Sequence, residues 1–171
     1  MGILKNIIPS NVLSALRTYI RNYVDSNLPQ DKAYCVFSDY TTNITTNFST
    51  GSYVPVSFTL SDIIKTSQFS GNSNVITYTT GDNINVIINV VISGYNVTSV
   101  SNVVGFVIYK NGDAIPSSIV TDIILDSGSS VSFMCGVELM RSDTIQIYAK
   151  AFGDSFNFEL ENINISITQV S

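Results

Sequence analysis

Val131-Ser132-Phe133-Met134-Cys135-Gly136-Val137-Glu138-Leu139 places an apolar side chain at every second position. A strand with one face on a core has that period, because successive side chains point to opposite faces. The pattern recurs on either side, in Val104-Phe106-Ile108, in Ile145-Ile147-Ala149-Ala151 and in Ile163-Ile165-Ile167. Between these runs lie residues 110–113, 126–130, 141–143 and 153–155, rich in Asn, Asp, Gly and Ser, which tolerate left-handed backbone or bond back to it. Short strands at even spacing with turn chemistry between them predict a sandwich or a barrel.

The same residues resemble a family. A strand ending Tyr109-Lys110-Asn111-Gly112, the long alternating run 130–139, then Arg141-Ser142-Asp143-Thr144-Ile145-Gln146-Ile147 and a closing Ile163-Asn164-Ile165-Ser166-Ile167 resemble the jelly roll of tumour necrosis factor and the globular heads of complement. Phage fibres and capsid decorations use that module too. The family pattern has Gly before the Asp, where this chain has Ser142. The resemblance covers roughly the C-terminal hundred residues and implies an all-β jelly-roll sandwich. It implies no catalytic residue or cofactor, since a fold of this kind does not by itself specify a function.

The chain has 171 residues, enough for one domain with a core that needs neither disulfides nor metals. Charged residues are 12% of it against 44% hydrophobic, and the mean hydropathy is +0.27. So few charges imply that part of the apolar surface is covered by other subunits. The net charge of −5 with scattered Lys and Arg offers no stripe for a phosphate backbone, so nucleic acid is not an expected partner. Cys35 and Cys135 each sit in a strand-like run and read as buried thiols.

Residues 1–30 read as a separate element, with the head domain in residues 31–171. Ile3, Leu4, Ile7 and Ile8 would be exposed unless docked, and predict an anchor to a different protein. Interrupted by Lys5 and ended by Pro9, this run is too short for a signal core or a membrane span. Val12, Leu16, Tyr19 and Tyr23 follow at helical spacing between Ser10 and Pro29 and predict a short α-helical stalk. Its partner is either another copy or the chain's own sandwich.

In the head, residues 39–53 are rich in Thr, Asn and Ser and read as a long polar loop. The run 84–92 buries Ile84, Val86, Ile88, Val90 and Ile92, and its opposite face is still half apolar through Ile87 and Val91. Likewise the alternation of residues 144–152 leaves Gln146, Tyr148, Lys150 and Phe152 facing away from the core. By resemblance both strands face a threefold axis, so Gln146, Tyr148, Phe152, Ile87 and Val91 are expected to form one patch in a homotrimer. Tyr40, Tyr53, Tyr78 and Tyr95, among Asn, Ser, Thr and Gly, are candidates to stack on sugar rings, or else plugs of the sandwich ends.

Catalytic chemistry is sparse. With no His, neither a Ser-His nor a Cys-His pair can be built. The turn aspartates lack calcium-loop spacing and read as turn formers, so no metal or cofactor is expected. The expectation is a viral structural protein, most simply of a bacteriophage: a trimeric capsid decoration or head-fibre knob on the virion surface, anchored to a virion protein by its N-terminus and adhering to a cell-surface glycan, with no enzyme activity and no membrane insertion. A tail-fibre receptor-binding tip and a cell-encoded soluble trimeric ligand of the same fold are the alternatives.

Overall fold

A computed structural model describes residues 33–39, 44–65, 68–98 and 101–170, together with Thr18; for residues 61–65 it describes the backbone alone. The chain divides into two units, Met1–Lys32 and Ala33–Ser171. The anchor residues Ile3, Leu4, Ile7 and Ile8, the stalk residues Val12, Leu16, Tyr19 and Tyr23, and Tyr40 lie outside the described residues.

In chain order the strands are β1 (Tyr34–Asp39), β2 (Ile44–Phe48), β3 (Val54–Pro55), β4 (Ser61–Lys65), β5 (Phe69–Asn72), β6 (Val75–Tyr78), β7 (Ile84–Asn96), β8 (Asn102–Lys110), β9 (Asp113–Ala114), β10 (Val120–Ile124), β11 (Ser129–Leu139), β12 (Thr144–Ala151) and β13 (Phe156–Gln169). They form two antiparallel sheets. The first runs β11-β7-β13-β1-β4, with β2 also on β13; the second runs β10-β8-β12-β6-β5, with β3 on β12 and β9 on β8. From β10 onward the chain passes from one sheet to the other at each strand, so the inner faces close on one core. This is a jelly-roll β-sandwich.

Period-two burial builds that core. Ile84, Val86, Ile88, Val90 and Ile92 point inward from β7, and Ile145, Ile147, Ala149 and Ala151 from β12, all of them buried as the alternation requires. Each fully buried aliphatic side chain contributes about 1.5–3 kcal/mol. On β13 the inward set Phe156, Phe158 and Leu160 resumes at Ile163, three residues on. A bulge between Leu160 and Asn162 takes up the extra residue and keeps both halves of the strand facing the core. One end of the sandwich is filled by rings: Phe48 stacks on Phe158 at 5.0 Å and meets Phe156 and Phe106 edge-on at 5.5 and 6.0 Å.

One expectation is corrected. Residues 39–53 are not one polar loop, because β2 pairs with residues 156–160 of β13 and buries Thr46 and Phe48. In residues 54–60 the alternation does bury Val56 and Phe58, yet only Val54–Pro55 is a strand. Backbone and side chains share the bonding there: the Val56 N–H donates to the Ile147 carbonyl at 2.9 Å, the Ser57 N–H to Thr46 Oγ1 at 2.9 Å and the Thr59 N–H to Asp39 Oδ2 at 2.7 Å.

Cys135, Ile88, Ile167 and Cys35 share one register row across β11, β7, β13 and β1. Three strand spacings, about 14 Å, separate the two cysteines. That exceeds the reach of a disulfide, about 7 Å between Cα atoms. Both are buried, and burial pushes the Cys135 thiol up to about 11.

Candidate functional site

Among the described residues, the outer face of the second sheet brings together Tyr53, Tyr109, Tyr148 and the 53%-exposed Phe152. Val103, Gly105, Val107 and Tyr109 point outward from β8, opposite the core set Val104, Phe106 and Ile108. Register places Lys150 beside Gly105, Tyr148 beside Val107 and Gln146 beside Tyr109. The Tyr109 and Tyr148 rings stack at 3.9 Å with planes 18° apart. Tyr53, just before β3, tilts toward Tyr109 at 6.4 Å, and Val107 in the middle of this face is fully buried.

Gly105 lets the cluster close. A Cβ at that position would stand 2.7 Å from a Phe152 ring carbon and 3.2 Å from the Tyr53 hydroxyl, so both groups rest where a side chain would otherwise be. The Lys150 ammonium lies over the Phe152 ring at 5.2 Å and the Tyr53 ring at 5.8 Å. Burial raises the Tyr109 phenol above its ordinary value, and Tyr148, Tyr53 and Asp113 nearby add to the shift. Flat ring faces bordered by phenols, an amide and one ammonium can hold a ligand that is apolar on one side and polar at its rim.

The first sheet presents a different outer face. Met134, Asn89, Ser166 and Val36 form one row in register, and Gly136, Ile87, Thr168 and Tyr34 the next. Ser132, Val91 and Asn164 follow. No charged side chain stands among them, and Ile87 and Met134 are 42% and 62% exposed. Across β11, β7 and β13, charges return toward the ends, at Glu138 opposite Asn85, at Glu159 opposite Tyr95 and at Glu161 in the bulge of β13.

The expected single patch is therefore corrected: Ile87 and Val91 lie on the first sheet, whereas Gln146, Tyr148 and Phe152 belong to the outer side of the second. The chain passes to the other sheet between β7 and β8, so two outward faces that both read as half apolar are on opposite sides of the sandwich. The candidate tyrosines separate in the same way. Tyr53 joins the ring cluster, while Tyr95 stands on the first sheet, where a hydrogen bond with Glu159 raises its phenol. The sequence reading gives Tyr109 and Gly105 no part in this site, and it places Lys150 on the outward face without a role. The available signal was a glycine inside a strand, which marks a close approach, followed four residues later by an outward tyrosine.

The turns beside β12 carry a compact polar network. Asp143 is buried, accepts from Lys110 Nζ at 2.8 Å, from Asn111 Nδ2 at 2.6 Å and from the Met140 N–H at 2.7 Å. Ser142, where the family pattern has Gly, adopts φ +71°. These groups position a turn. Among the described residues no three His, Cys, Asp or Glu gather as metal ligands, and no helix is long and apolar enough to cross a membrane.

The sandwich is an antiparallel jelly roll. A solved structure that shares it is the PRD1 vertex protein P5, with a TM-score of 0.52 over 81% of this chain and 97% of that one, at 10% identity. Murine APRIL at pH 5.0 gives 0.48 at 4% identity, covering 82% of this chain and 100% of that one. The globular domain of zebrafish complement 1qA gives 0.43 at 12% identity, covering 80% and 98%. At 10% identity the likeness to the vertex protein shows the fold alone. No protein-family model and no curated protein sequence matches the chain.

Proposed function

We propose that this chain is a structural protein of a virus particle, most simply a bacteriophage capsid decoration or head-fibre knob. In this reading it is a homotrimer held to a capsid or other virion protein by Ile3, Leu4, Ile7 and Ile8, with residues 12–23 as its stalk. It has no enzymatic role, and its exposed surface adheres to the host. The carrying observation is the uncharged outer face of the first sheet, where Ile87, Val91 and Met134 sit between Asn and Ser rows. A face with no charge over three strands loses little on desolvation, and another copy of the same face or edge covers it in a closed ring. The likeness to a vertex protein supports the particle location.

Sedimentation equilibrium of the full chain should return three times the 18.6 kDa chain mass. Removing residues 1–30 should leave the head trimeric but absent from particles labelled with antiserum against the chain. A monomer at micromolar concentration overturns the trimer, and normal occupancy by the truncated head overturns the anchor.

A further inference from the structure

We propose that the ring cluster on the second sheet binds an oligosaccharide that ends in a single acidic sugar, an inference that rests on the adhesion reading above and names its ligand. Phe152 is 53% exposed and lies against Gly105 beside Tyr53, while Tyr109 and Tyr148 form a half-buried stack next to them. Ring faces set along a sheet match the C–H face of a pyranose, and the phenols and the Gln146 amide lie where its hydroxyls would emerge. A protein partner would instead favour the uncharged face on the other sheet.

The acid follows from Lys150. On the outward positions of β10, β8, β12 and β6 it is the one charged side chain; Asp113 of β9 lies near Tyr109 at the edge of the cluster, and among the described residues no carboxylate pairs with Lys150. Its ammonium is fixed between two rings, at 5.2 and 5.8 Å from their centroids, so it faces whatever stacks there. The chain's net charge of −5 opposes a polyanion such as nucleic acid or a uronic polymer. One carboxylate on an otherwise neutral glycan meets one cation at no such cost.

Three probes test this on the full chain: 3′-sialyllactose, its methyl ester and cellobiouronic acid, followed by saturation-transfer NMR and by tyrosine fluorescence, which no Trp obscures. The acid should bind about tenfold more tightly than its ester, as a charge-assisted contact predicts. Lys150→Gln should bring sialyllactose down to the ester's affinity and leave the ester unchanged. Phe152→Ala should abolish both. Gly105→Ala, whose new Cβ displaces an exposed ring, should do the same in a protein that still unfolds cooperatively. Equal affinity for acid and ester, binding that survives Phe152→Ala, or no binding of either acidic sugar overturns the proposal. Sedimentation on the same samples separates the two readings: a trimer that binds no sugar leaves the decoration role standing, and a monomer that binds leaves the site standing.

Discussion

At Asp143 opposing effects can be weighed directly. Burial pushes its carboxyl up, but hydrogen bonds from Lys110, the Met140 N–H and Asn111, with the Lys110 charge, outweigh burial and hold it below the usual carboxylate range. A depressed folded pKa stabilises the fold above the unfolded value of about 3.9, and that contribution is lost as pH falls through the folded value. Asp143→Asn should therefore cost about 2–3 kcal/mol at pH 7 in urea unfolding. The gap to wild type should narrow below pH ~4. Glycines make a second contrast. A Cβ on Gly94 would meet the Glu159 carbonyl and the Phe158 ring, neither of which can move, whereas the Cβ of Gly105→Ala meets an exposed ring. Gly94→Ala should cost about 3 kcal/mol in the same assay and Gly105→Ala under about 1 kcal/mol. The sequence placed a turn at residues 141–143 from its residue types. The Gly that the family pattern has at the position of Ser142 was the sign of the left-handed angle found there.

Alternation is a property of one strand, and what was legible at the scale of elements follows from that. The inward sets of β7, β8, β11, β12 and β13 could be read because period two fixes which side chains face a core. Period two does not say which strand lies alongside, so β7 and β12 were read as one outward patch when they belong to different sheets. Strand β2 was missed for a related reason. Ile44-Thr45-Thr46-Asn47-Phe48 has a loop's composition, and it is extended because the edge of β13 at residues 156–160 lies open to it. Phe48 then stacks among Phe156, Phe158 and Phe106. Phe48→Ala should cost about 3–5 kcal/mol in thermal or urea unfolding, as for a core aromatic. A loop residue in the same place would cost under about 0.5 kcal/mol.

For the whole molecule, a low charge content means that two outer faces need separate explanations, and each makes its own demand on assembly. The first sheet offers Ile87, Val91 and Met134 with no ionic side chain between them. The second offers rings around the Lys150 ammonium. If the first face lies between copies, Ile87→Asp places a carboxylate in a surface stripped of water without a cation to receive it, and burial of an unpaired charge is strongly unfavourable. Sedimentation of that variant should give monomers. Tyr148→Asp removes the stack with Tyr109 but leaves its carboxylate near Lys150 and water, so the same measurement should return the wild-type mass while the sugar affinity falls. The opposite pattern, with Tyr148→Asp dissociating the protein and Ile87→Asp leaving it whole, would move the interface to the second sheet and displace the ligand from it.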